Sequence, residues 1–145
     1  MAYTSKAQLI ARWGTQEVTR SADRDPQDGV SEDAAIAAAC ADASSLVDSY
    51  LVQAGVKVPM EPVSDALVLH ATNIAMYQLS QAVGGAYTDE KRKRFEDATA
   101  WLKMQAAGNG QVPGADPSST PTQVVRTGPM PGVYTAATLR GGGLL

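Results

Sequence analysis

Apolar residues recur at intervals of three and four positions along the first 107 residues, which is the period of an α-helix. The segment YTSKAQLIARWG has Thr4 or Ser5 as a candidate N-cap, one apolar face and Gly14 as a left-handed stop. TQEVTRSA allows one further short turn of helix. The next stretch, DRDPQDGVS, is rich in turn residues, and Ser31 at its end is a candidate cap for the helix that follows.

Three longer helical segments come after this loop. The segment from Glu32 to Ala54 carries its apolar residues on one stripe and ends at Gly55. The segment from about Val63 to Val83 is apolar nearly all round, which predicts that it lies at the centre of a bundle. The last segment begins at a Thr88 cap and closes at Gly108, and four of its residues are predicted to face inward: Phe95, Ala98, Trp101 and Leu102.

The chain changes character after position 107. Residues 108–145 hold 8 of the 13 glycines and 5 of the 8 prolines, and no heptad or strand alternation spans them. QVVRT and GVYTAATL could each add a short strand to the sheet edge of a neighbour. The sequence therefore predicts an all-α fold: a small bundle of four to five helices in residues 1–107, followed by a long extended Gly/Pro-rich C-terminal arm in residues 108–145.

The charge and cysteine content exclude several classes of protein. The formal net charge of −3 argues against a nucleic-acid-binding protein, which requires a clearly basic surface. Cys40 is alone, so there is no internal disulfide and no paired-cysteine metal motif. The sequence has no signal-peptide pattern and no apolar stretch that approaches membrane-spanning length, so a cytosolic protein without a membrane partner is expected.

An acidic turn is the first candidate site. Asp23, Asp25 and Asp28 precede Gly29, an arrangement similar to the start of a calcium-binding loop. The spacing departs from that loop, because Asp28 occupies the position that needs glycine and Ala34 stands where the bidentate glutamate belongs. A solvated acidic turn is the favoured interpretation, and an ion site is the alternative.

A basic run at the start of the last helix is the second candidate. A solvated helix face, offset by neighbouring carboxylates, is the simplest interpretation. The functional interpretation is an inter-subunit contact with an acidic neighbour, and nucleic-acid binding ranks third because no aromatic residues interleave with the run. The residues concerned are Lys91, Arg92, Lys93 and Arg94.

No residue pattern indicates catalysis. His70 is the single histidine and has no nucleophile or carboxylate at a triad spacing, so a packed, hydrogen-bonded core histidine is predicted. Cys40 lies in an alanine-rich helix and is expected to behave as a small apolar residue. We therefore expect no enzyme activity, no catalytic residue, no metal ligand and no cofactor.

Three stretches together resemble a known family. KAQLIARWG, DRDPQDGVSEDAAIAAACADASSLVDSYL and RFEDATAWL occur in an order and spacing similar to the head–tail connector (adaptor, neck) proteins of Mu-like tailed bacteriophages and prophages. The resemblance covers about residues 3–107. The sequence departs from the family pattern at Pro26, which interrupts the acidic loop, and the arm aligns with nothing in the pattern.

The resemblance implies a structural role in the neck of the virion. The expected partners are the portal protein, a tail-side neck or tail terminator protein, and other copies of the chain in a closed ring of about twelve. Such a ring would extend the DNA channel, and its acidic wall would let the genome pass without sequence-specific binding. Asp23, Asp25 and Asp28 are candidates for that wall or for a subunit contact. Assembly would occur in the cytoplasm of the host bacterium.

The arm suits this role, because a chain that orders on its neighbours can cover a large area. Its candidate anchors are Val124, Val125, Arg126, Met130, Val133, Tyr134, Leu139, Arg140, Leu144 and Leu145. The alternative function is a small acidic binding or regulatory module whose disordered tail recruits partners. Association with virus particles would favour the adaptor, whereas a calcium-dependent change in stability would favour the module.

Overall fold

Five α-helices form the described part of the chain, which confirms the predicted all-α bundle. The computed structural model describes residues 2–25, 27, 31–84 and 86–114. The helices are α1 (Lys6–Trp13), α2 (Thr15–Ala22), α3 (Asp33–Gln53), α4 (Asp65–Gln81) and α5 (Asp89–Ala106).

The helix ends lie close to the predicted stops. Ser5 rather than Thr4 caps α1, accepting a hydrogen bond from the Gln8 amide. Thr88 caps α5 in the same way, and Gly14 has a φ of +83° at the junction between α1 and α2. Thr15–Ala22 is a complete helix of 8 residues, longer than the single turn that its sequence predicted.

Helix α4 is the centre of the bundle, as its apolar composition predicted. It contacts each of the other four helices, and its residues 71–76 are all buried. It is antiparallel to α5, because His70 stacks on Trp101 near its start and Tyr77 stacks on Phe95 near its end. The core side chains are mostly small or aliphatic, and Phe95 and Trp101 are only half-buried at its edge.

The N-terminal segment joins α3 to α4. The Tyr3 amide donates a hydrogen bond to Ser44 Oγ on α3, and the next residue places Thr4 Oγ1 2.8 Å from Thr72 Oγ1 on α4. The Tyr3 hydroxyl donates to Asp48 and accepts from the Met60 amide, so it also holds the α3–α4 connector. Burial and the bond to Asp48 raise the pKa of Tyr3 to about 12.

Helix α3 differs from the expected single apolar stripe. Its buried side includes Ile36, Ala43 and Val47, but alanines also occupy much of the opposite side. By length and composition alone its 21 residues could cross a membrane, so the expectation that no stretch approaches that length was wrong. Because its buried side packs in the bundle core, a core helix of a folded domain accounts for the same composition.

The chain folds back after α5. Val112 is buried in the core cluster, and Gly114 lies beside Met60 and Pro62 of the α3–α4 connector. Residues 108–114, which the sequence analysis assigned to the arm, therefore pack against the body. The ten predicted arm anchors between Val124 and Leu145, and the two candidate strands, lie outside the described residues.

Candidate functional surfaces

The acidic turn does not gather its carboxylates into one site. Asp23 ends α2 as its C-cap, with its amide bonded to the Thr19 carbonyl, whereas Asp25 is exposed and accepts from the Gln27 amide. Asp28 lies outside the described residues. Within the described ranges, no group of three or more His, Cys, Asp or Glu side chains is placed to hold a metal ion.

Asp23 contributes instead to an open groove of about 540 Å³ between α2 and the end of α4. The groove is lined by Gln16, Thr19, Arg20, Asp23, Val83 and Gly84. One carboxylate oxygen of Asp23 is buried and accepts no hydrogen bond. A buried acceptor without a donor costs roughly 1–3 kcal/mol, so this oxygen is an unsatisfied polar atom at the end of α2.

The basic run divides into one buried and three exposed residues. The Lys91 side chain is only 1% exposed, whereas Arg92, Lys93 and Arg94 are exposed on α5. The prediction of one continuous basic patch was therefore wrong for Lys91, because position 91 lies on the inward side of α5, towards α2. An inter-subunit contact through the three exposed residues stays a prediction.

Lys91 forms a polar cluster that joins two helices and a turn. Its Nζ donates to Glu17 Oε1 at 2.5 Å and Ser21 Oγ at 3.0 Å on α2, and to the Ala86 carbonyl at 2.6 Å. These three acceptors satisfy all three ammonium hydrogens. No local pattern in the sequence indicates this pairing, because Glu17 lies 74 positions from Lys91.

The exposed arginines are held along α5 and against α1. Arg94 donates to Glu90 at 2.6 Å, one turn earlier, and its guanidinium lies 4.5 Å from the centre of the Trp13 ring. Arg92 has Asp89 and Glu96 within 4 Å. Local carboxylates thus offset both charges, as the solvated-face interpretation expects.

His70 is not the hydrogen-bonded core residue that was predicted. It is half-buried and stacks on Trp101 with 4.5 Å between the ring centres, but its Nδ1 has no partner. Burial lowers the pKa of His70, and the nearby Asp97 carboxylate opposes that effect. Cys40 is buried as expected, and burial raises the pKa of its thiol.

Two apolar surfaces were missed by the sequence reasoning. The first is the outer face of α3, defined by exposed residues at helical spacing: Ala34, Ala38, Ala41, Ser45 and Val52. Its signal was present as alanines at positions complementary to the buried stripe, but alanine is common on solvated helices too. The exposed Asp42 and the half-buried Asp48, which accepts a hydrogen bond from the Tyr3 hydroxyl, lie beside these residues on the helix.

The second surface is the exit end of the bundle, where α3 ends, α4 begins, α5 ends and residues 107–114 pack. Three large apolar side chains are exposed within about a turn of this end: Val52 (59%), Met104 (53%) and Leu69 (36%). The other large exposed apolar residue of the described chain is Tyr87 (45%), in the turn between α4 and α5 at the opposite end.

Comparison with known proteins identifies a phage family. The model of the family described as Bacteriophage Mu, Gp36 matches residues 3–127, which include the whole helical body and part of the arm. No curated protein matches the chain.

Proposed function

The chain belongs to the bacteriophage Mu Gp36 family, and on that premise we propose that it is a structural protein of the virion, a head-to-tail adaptor that forms a ring below the portal. The ring would extend the DNA channel and join the head to the tail. In this role the protein acts by binding, without catalysis or a cofactor. The family match over residues 3–127 is the observation that carries the proposal.

The body has surfaces that suit assembly with other copies. Helix α3 leaves an outer face rich in alanine exposed, so part of its apolar surface is uncovered among the described residues. Small side chains allow another helix to approach closely, so this face supports a role in contacts between subunits. Arg92, Lys93 and Arg94 are exposed on α5 and would offer separate charged contacts to an acidic neighbouring subunit.

The acidic turn has a place in the same proposal. Asp25 is exposed and Asp23 is half-buried, so both residues keep part of their surface open to a partner. On the wall of a channel, they and Asp28 would repel the phosphate backbone and keep DNA from adhering. The alternative position is a contact with a neighbouring subunit, through a donor that reaches Asp23.

Binding of the full chain to purified portal rings tests the proposal. Sedimentation and native mass spectrometry should show decoration of the portal at one fixed ring stoichiometry. The tail-side protein should then bind the decorated portal and not the bare one. Failure to bind portal, together with absence from purified particles, would contradict the adaptor role. A calcium-dependent rise in thermal stability would then favour the small regulatory module.

A further inference from the structure

We propose that the exit end of each body receives residues 115–145 of the neighbouring copy in the ring. This inference rests on the proposed ring and adds the identity of a contact within it. Three observations carry it: the exposed apolar residues at this end, the place where the described chain ends, and the composition of the segment that follows.

The first observation is the location of exposed apolar area. Val52, Leu69 and Met104 lie on three different helices, but all are within about a turn of the same end of the bundle. Large apolar side chains that are more than a third exposed are candidates for a binding surface when they concentrate in one region. Among the described residues, Tyr87 is the one large apolar side chain that is exposed at the opposite end.

The second observation is where the described chain ends. Val112 is buried in the core and Gly114 lies beside Met60 and Pro62, so the last described residue lies at the exit end. The remaining 31 residues, 115–145, include most of the large apolar residues after α5, beginning with Val124 and Val125. Gly114, after which this segment begins, and the exposed apolar side chains therefore lie at the same end of the bundle.

The symmetry of a ring selects the neighbour as the partner. Rotation about a ring axis keeps equivalent points at equal height, so the exit end of one copy is level with the exit end of the next. A body of this size is about 30 Å across. Residues 115–124 span at most about 33 Å when extended, and the later apolar residues reach further. The segment is thus long enough to reach the next exit end without crossing the body.

The charges of the two parts are compatible with this contact. Residues 115–145 contain Arg126, Arg140 and a single carboxylate, Asp116, whereas the rest of the chain has more acidic than basic residues. Opposite net charge favours encounter between segment and body, and apolar side chains supply the close contact.

Photo-crosslinking in the assembled ring tests the proposal directly. The photoreactive residue p-benzoylphenylalanine replaces Met104 at the exit end or, as the matched control, Tyr87 at the opposite end. Both positions are exposed to similar degrees, 53% and 45%. Rings are formed from a mixture of nitrogen-15-labelled and unlabelled copies, and the crosslinked peptides are identified by mass spectrometry.

The expected result is that position 104 crosslinks to peptides from residues 115–145, with labelled and unlabelled partners combined in one product. Position 87 should give few or none. Crosslinks joining only equally labelled peptides would show that the segment covers its own body, which overturns the proposal. Rings that give no segment crosslink at position 104 would also overturn it. If native mass detects no ring, the proposed function and this contact both fail.

A second measurement is independent of the crosslinker. The double variant Val52→Thr and Met104→Gln should weaken self-association roughly tenfold, because truncating or polarising central apolar contacts commonly has an effect of this size. Its unfolding midpoint should match the parent, because both side chains are exposed. The control Tyr87→Ser should leave association unchanged. Equal association of the parent and the double variant would contradict the proposal.

Discussion

Helices α3 and α4 are both rich in apolar residues, but their surroundings differ. Neighbouring helices cover α4 so completely that residues 71–76 are buried in succession, whereas α3 buries one side and exposes its outer face. The pattern of apolar residues predicted this difference in outline, because it indicated one apolar stripe for α3 and apolar residues nearly all round α4. The structure adds that the exposed side of α3 is itself largely alanine, which a single stripe did not predict.

The side chains on the exposed and covered faces differ in size. Helix α4 buries Leu67, Ile74 and Met76, which need matched packing, whereas the outer face of α3 is mainly alanine and serine. Exposing alanine in a free subunit costs little, since the apolar area is small. Such a face is compatible with a subunit that is stable alone and that packs closely against another helix after assembly.

Controls aside, the largest expected effect comes from making a cavity in α4. Replacing Ile74 by alanine should lower the free energy of unfolding by about 2–5 kcal/mol, because the side chain is fully buried and its site collapses only partly. The matched control on α3 is Val52→Ala, which should change it by less than about 0.5 kcal/mol. Urea denaturation of both variants measures the difference. Similar losses at the two positions would contradict the distinction between the helices.

The next effect concerns the polar cluster around Lys91, which joins α2 to α5. Replacing Lys91 by methionine keeps the length of the side chain but leaves Ser21 and the Ala86 carbonyl without their donor. Because Glu17 is a third exposed and regains water, the loss should be about 1–3 kcal/mol rather than that of a fully buried ion pair.

Lys93 is the matched control for that substitution. It lies two residues away on the same helix and is exposed, so Lys93→Met should shift the unfolding free energy by less than about 0.5 kcal/mol. Denaturation of both variants in urea provides the comparison. An equal response would show that burial of Lys91 does not matter for stability.

Features that depend on neighbouring residues were predicted better than features that depend on contacts between distant segments. Helix starts and stops at Ser5, Gly14 and Thr88 depend on neighbours within four residues, and they agree with the structure. The burial of Lys91 depends on α2 packing beside α5, which no window of sequence contains. Read locally, a lysine between other basic residues indicates a solvated face.

The candidate sites show the same limit. The failed calcium spacing was visible in the sequence, and the structure places Asp23 at the end of α2 and Asp25 in the exposed turn. The unpartnered oxygen of Asp23 was not visible, because it results from the groove between α2 and the end of α4. The group of exposed apolar side chains at the exit end likewise forms only where the ends of three helices come together.

A smaller effect is expected from pH at the half-buried side of α4. Because burial holds the pKa of His70 below its unfolded value near 6.5, the unfolded chain takes up a proton first as pH falls. Stability should therefore be retained above that pH and decline below it. The variant His70→Phe keeps a ring against Trp101 without titrating, so its loss of stability between pH 7 and pH 5 should be smaller than the parent's. Equal losses would show that His70 does not contribute.

The smallest effect on folding, and the most informative one, is expected on the outer face of α3. Ala41→Glu places a charge on an exposed helix position, where glutamate is nearly as favourable as alanine, so the unfolding free energy should change by less than about 0.5 kcal/mol. The same substitution at Ala43, two residues away and fully buried, should prevent folding, because the carboxylate would have no partner. Circular dichroism and urea denaturation separate these outcomes.

If the outer face contacts another copy, Ala41→Glu should also abolish ring formation in native mass spectra while the folded monomer persists. Unchanged rings would instead show that the outer face of α3 stays solvated in the assembly, which would contradict its proposed role in contacts between subunits.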